Sequence, residues 1–144
     1  QAGNTFADSY FPISGLGRSS SIISTSVATA ESVGEVGSWG SGNPNKVWFA
    51  GGGAGGPNSP YAAAGGLGGG ALFNTSAVAN TGGGAGSVAL YTYNRAGGSG
   101  VVIIRLSDEA RVTVSAGLTY AVDTSVSNSV AYIFKAGTGT VTFN

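Results

Sequence analysis

The sequence predicts an all-β chain: short antiparallel strands with a glycine-rich, polyglycine-II-like region and little or no helix. Three observations predict it. Apolar residues alternate with polar ones through the last third of the chain. Glycine tracts broken by short, bulkier spacers fill the middle. Nowhere do apolar residues recur at helical spacing between recognisable caps.

Residues 1–45 read as an extended N-terminal arm or docking segment. Within it, residues 19–30 are rich in Ser, Thr, Ile and Val and suit an extended strand. Residues 27–36 contain helix formers, but Glu31 and Glu35 stand four apart, and like charges at that spacing repel. Gly34 and Gly37 follow, so little or no helix is expected there. Residues 31–45 read as a Gly/Ser/Asn turn region around Trp39. For Trp39, Trp48 and Phe49, core packing is the favoured role.

Residues 46–106 form a glycine-rich module. The tracts FAGGGAGG, AAAGGLGGG, NTGGGAGS and RAGGSG alternate with spacers, which makes an irregular internal repeat. Strand formers bound the module at residues 47–49 and 101–104; the second run is continuously apolar and suits a strand covered on both faces. A glycine tract can serve as a flexible linker. Here the spacers carry Tyr61, Leu72, Phe73, Leu90, Tyr91 and Tyr93, which linkers avoid, and the tracts are diluted with Ala rather than with charged residues. The ordered alternative is polyglycine II, with three residues per turn and no internal hydrogen bonds. Every N–H and C=O then points outwards and needs a neighbour. Only Gly, with Ala or Ser on outer rows, lets such backbones approach one another.

Residues 107–144 read as a C-terminal β module. Val112 and Val114, then Leu118, Tyr120 and Val122, then Val130, Tyr132 and Phe134, then Val141 and Phe143 recur at period two. Turn residues separate these runs, and the pattern predicts a meander of short antiparallel strands.

Composition narrows the function. The chain of 144 residues has 6 Lys+Arg, 6 Asp+Glu and zero net charge. Nucleic acid and anionic membranes require a cationic surplus that is missing here. Without His or Cys, most acid–base, nucleophilic and transition-metal schemes lack their usual groups. No enzyme activity, cofactor or metal is expected. No apolar run approaches the ~20 residues that span a bilayer, so membrane insertion is not expected. With no Met, Gln1 reads as a processed terminus or the start of a fragment. The carboxylates are Asp8, Glu31, Glu35, Asp108, Glu109 and Asp123. Asp108 and Glu109 read as a solvated turn beside Arg105 and Arg111, since a hydrolytic pair must face across a cleft. GGGAGG lacks the Gly-Lys-Ser/Thr ending of a phosphate loop. Residues 74–76 match a glycosylation sequon, which we read as coincidental.

The candidate receptor-binding residues are Asn58, Tyr61, Phe73, Asn74, Tyr91 and Tyr93, all on spacers. Rigid aromatics beside amides suit sugar or protein recognition at small entropic cost. The competing role is packing against the ends of the glycine tracts or against neighbouring subunits.

The stretches KVWFAGGGAGG and AGGSGVVIIRL, with YIFKAGTGTVTF near the end, resemble a glycine-rich structural module of tailed-bacteriophage virion proteins. The tract-and-spacer alternation is similar to tail-fibre tip adhesins of T-even-like phages, in which a polyglycine II sandwich displays receptor-binding loops. The resemblance implies an exposed fibre or attachment component on the virion surface. Its partners would be copies of itself, other virion proteins and a host surface glycan or protein. The alternative is a self-assembling extracellular filament subunit, with residues 140–143 completing a neighbour's sheet.

Overall fold

A computed structural model describes residues 14–56, 64–88 and 94–144. Nine elements follow in order: β1 (Arg18–Ser20), α1 (Thr25–Glu31), β2 (Glu35–Gly37), β3 (Lys46–Phe49), β4 (Val102–Leu106), β5 (Val112–Val114), β6 (Leu118–Asp123), β7 (Val130–Gly137) and β8 (Val141–Phe143). All strand pairs are antiparallel. The fold is all-β with one short helix.

The first sheet has the order β1-β3-β2, with Val47 of β3 opposite Ser20 on one side and Val36 on the other. The second has the order β4-β7-β6. The third pairs β5 with β8, which departs from the meander the alternation suggests. Val112 faces Phe143, Val114 faces Val141 and Leu118 faces Gly137. Between them Ser115 N–H donates to the Thr140 carbonyl and Thr138 N–H to that of Gly117. Residues 112–143 therefore make one long hairpin, bent where the sequence suggested strand ends. Gly117 (φ +135°) and Gly137 (φ +104°) form the bend, and a Cβ on Gly137 would overlap the Gly117 carbonyl. A bulge between Thr119 and Tyr120 shifts the register beyond it.

Helix α1 occupies residues expected to be extended or non-helical. Its reasons are tertiary as much as local. The Ser24 hydroxyl caps it by accepting from Val27 N–H, and Ser32 closes it at φ +53° with Val33 N–H donating to the Ala28 carbonyl. Ala28 is buried. Glu31 is neutralised by the Lys135 ammonium at 2.8 Å. Glu35 belongs to β2, so the two carboxylates never share a helical face. The expected turn region around Trp39 thus holds the end of α1 and strand β2, and Trp39 itself is 48% exposed rather than in the core.

The core is Ile23, Ala28, Val33, Val47, Ala131 and Ile133, with Val36, Phe49, Ile103 and Ala121 among the side chains packed on it. It joins α1 and the first sheet to the inner face of β4-β7-β6. The described residues within 1–45 therefore supply three elements and half of the buried core cluster. Residues 101–104 are not covered on both faces, because Val102 is 60% exposed while Ile103 points inwards.

Candidate interaction surface on the glycine lattice

Three segments, residues 50–56, 68–74 and 82–88, bond to one another in a ring. Gly51 and Ala54 donate to the carbonyls of Gly68 and Ala71. Ala71 and Asn74 donate to Gly84 and Ser87, and Gly84 and Ser87 donate back to Gly51 and Ala54. These six bonds are 2.8 to 3.0 Å long. Each step advances by three residues on both partners, so the segments run parallel. Three is also the period of a polyproline-type helix, and the ring closes as in collagen's parallel chains. A flat sheet gives each strand two flanking neighbours and no such closure.

Flanking segments extend the lattice. Gly52 N–H donates to the Gly15 carbonyl and Gly66 N–H to that of Gly52. Gly82 donates to Ser99, and Gly98 to Gly83. The need for glycine is steric. A Cβ on Gly53 would overlap the Ala85 carbonyl, one on Gly70 the Gly52 carbonyl, and one on Gly86 the Leu72 carbonyl.

A few polar side chains tie the lattice to the rest. The Glu35 carboxylate accepts from Gly68 N–H at 2.7 Å and Gly69 N–H at 2.8 Å. Buried Thr81 donates its hydroxyl proton to the Val78 carbonyl and accepts from Gly83 N–H. Neither residue was singled out from the sequence for this role. The signal available was a carboxylate and a hydroxyl set among glycines whose N–H groups lack a helix or sheet.

Because the three segments are parallel, Gly56, the turn at residues 73–75 and Val88 mark the same end of the lattice. Of the expected receptor-binding residues, Phe73 and Asn74 lie in that turn. Asn58, Tyr61, Tyr91 and Tyr93 lie outside the described residues. Phe73 is half-buried and Asn74 exposed. Asn74 adopts φ +61°, and its amide oxygen accepts from the Arg95 guanidinium at 2.9 Å. This fixes the turn against the last tract, a partnership that the sequence reading missed.

A second surface lies on the outer face of β4-β7-β6. Val102, Tyr120 and Val122 are exposed, and the rings of Tyr120, Tyr132 and Phe134 stand 5.8 to 6.4 Å apart. At the hairpin's far end Asp123 is buried. Burial alone would raise its pKa, but hydrogen bonds from the Ser125 hydroxyl, Ser24 N–H and Ser125 N–H outweigh it and hold the carboxyl below its ordinary value. Asp123 thereby clamps the hairpin to the start of α1. Among the described residues, no group of three or more potential ligands could hold a metal ion, and no helix is long and apolar enough to cross a membrane.

Comparison with family models, curated proteins and solved structures found no match.

Proposed function

We propose that this chain is a structural protein of a bacteriophage virion, an exposed fibre or attachment component that works by display rather than catalysis. The observation that carries the reading is the closed ring of main-chain bonds, which brings Gly56, the turn at residues 73–75 and Val88 to one end of a charge-poor scaffold. Such a lattice is rigid without needing a large core, and its spacers can change without disturbing the ring. The tract-and-spacer resemblance to phage fibre tips points the same way. Host-receptor binding, to a surface glycan or protein, would belong to the spacer end around Phe73 and Asn74. The filament alternative draws less support, because β8, the strand it would donate, is already paired with β5.

Antibody raised to the purified chain is expected to decorate phage particles purified from cultures that produce it. Bare particles, with label confined to cells or to filaments, would overturn the reading. Excess purified chain is further expected to slow adsorption of those particles. Unaltered adsorption removes the receptor role and leaves the structural one.

A further inference from the structure

The pairing of β4 with the long hairpin brings together a second set of groups that the spacer end does not use. Pairing of β4 with β7 sets Leu106 opposite Val130 and Ile104 opposite Tyr132. The turn that follows β4 therefore lies beside the loop that precedes β7. Between them opens a groove of ≈ 390 Å³, with Tyr132 in its wall. That volume lies within the range of small-molecule sites.

Both loops are braced by their own bonds. Ala110 N–H donates to the Ser107 carbonyl, and Glu109 N–H to the Ser107 hydroxyl. Across the groove, Ser125 is held by Asp123, while Ser129 donates to the Val126 carbonyl through N–H and hydroxyl. This bracing leaves a specific set of groups free. The Asp108 carboxylate, the Thr124 and Ser127 hydroxyls and the Asn128 amide line the groove and make no hydrogen bond to another described residue. A carboxylate, an amide and two hydroxyls together offer both acceptors and donors.

The geometry points to a saccharide-binding groove here, distinct from the spacer end. Sugar hydroxyls both donate and accept, which matches this mixed set. Sugar C–H faces carry partial positive charge and suit the negative face of an aromatic ring. The aromatic row continues beyond the groove, since the Tyr132 ring stands 6.3 Å from that of exposed Tyr120. An oligosaccharide can therefore bridge the groove and the platform. The charge selects further. Asp108 is the charged side chain lining the groove, and no cation lines it. Neutral sugars fit, whereas an anionic sugar would be repelled. Because the loops are already braced, little ordering entropy opposes binding.

The test uses the purified, isotope-labelled chain and follows amide shifts by NMR. The probes are neutral trisaccharides of glucose, mannose, galactose and N-acetylglucosamine, with a galacturonic acid trimer as the anionic arm. At least one neutral trisaccharide is expected to give saturable shifts concentrated at residues 107–110 and 124–132, with the anionic trimer silent. Asp108→Ala and Asn128→Gly should each weaken binding about tenfold, the loss of one or two hydrogen bonds. Glycine suits position 128 because Asn128 has φ +57°. Asp108→Asn, which preserves shape, should weaken binding less and admit the anionic trimer. Absence of saturable shifts with every neutral probe, shifts unaltered by these substitutions, or equal binding of the anionic trimer would overturn the site. The readout is on the isolated chain, so it stands or falls separately from labelling of phage particles.

Discussion

The glycine lattice and the hairpin half solve the same problem with opposite means. In the hairpin half, strands satisfy their main chain by pairing, and stability comes from burying Ile133 almost completely against Val33 and Val47 of the N-terminal elements. In the lattice, main-chain bonds between segments are the structure itself, and the buried apolar side chains of those tracts are the methyls of Ala54 and Ala71, with Thr81 the buried polar one. Side-chain volume therefore stabilises one half and is excluded from the other. The same substitution should have contrary effects on the two sides, which gives a direct way to break the comparison.

The largest effect is expected at Gly53. Its Cβ would overlap the carbonyl of Ala85, a backbone atom that cannot swing aside. Gly53→Ala must push neighbouring segments of the ring apart, with a loss on the order of 4 kcal/mol. Gly55 meets nothing within 4 Å, and Gly55→Ala should be neutral or stabilise by about 0.5 kcal/mol through the unfolded chain. Urea denaturation of both variants checks the pair. Equal behaviour would mean that the tracts are not packed main chain to main chain. Next comes the opposite case, removal of volume. Ile133→Ala, at a fully buried site, should cost about 3 kcal/mol by leaving a cavity.

How much of this was legible in the residues differs between the halves for the same reason. The tracts declared close main-chain packing because glycine beside Leu72, Phe73 and Tyr91 makes a poor linker. The register did not show, since nothing local says that residue 54 bonds to residue 71 and residue 87 to residue 54. In the hairpin half, alternation marked every strand of residues 112–143, but Gly117 and Gly137 looked like ends when they form a bend. Helix α1 was missed because its caps are two serines and its support, Lys135, lies 104 residues away from Glu31. Of the candidate site, Phe73 and Asn74 were legible as spacer residues, whereas the Arg95 partner of Asn74 was not. The groove could not be read at all, because β4–β7 pairing alone brings Asp108 to Asn128.

A smaller effect tests the junction between the hairpin and α1. Asp123→Asn keeps the shape but loses the charge that three hydrogen bonds favour, and should cost about 2 kcal/mol at neutral pH. The sign with pH follows from the lowered pKa. The native state holds the carboxylate more strongly than the unfolded chain, so this contribution is complete above the ordinary value of 3.8. It disappears as pH falls through the lower native value. Wild type and Asp123→Asn should therefore converge in thermal stability in strong acid. A gap that persists there would assign the effect to packing instead of charge.

The smallest effect is expected at the other tie between the hairpin and α1, made from β7. Lys135 and Glu31 form an ion pair at 2.8 Å, with side chains 23% and 34% exposed. Water and salt reach such a pair, and pairs of this kind contribute at most about 1 kcal/mol. Lys135→Met retains most of the aliphatic stem and should cost less than that, with the loss shrinking as salt rises. The lattice offers a control in the same molecule. The six bonds of its ring are main-chain and neutral, so the cost of Gly53→Ala should not change with salt. Salt-dependent destabilisation of both variants would show that charge, not the packing of neutral main chain, supports the lattice.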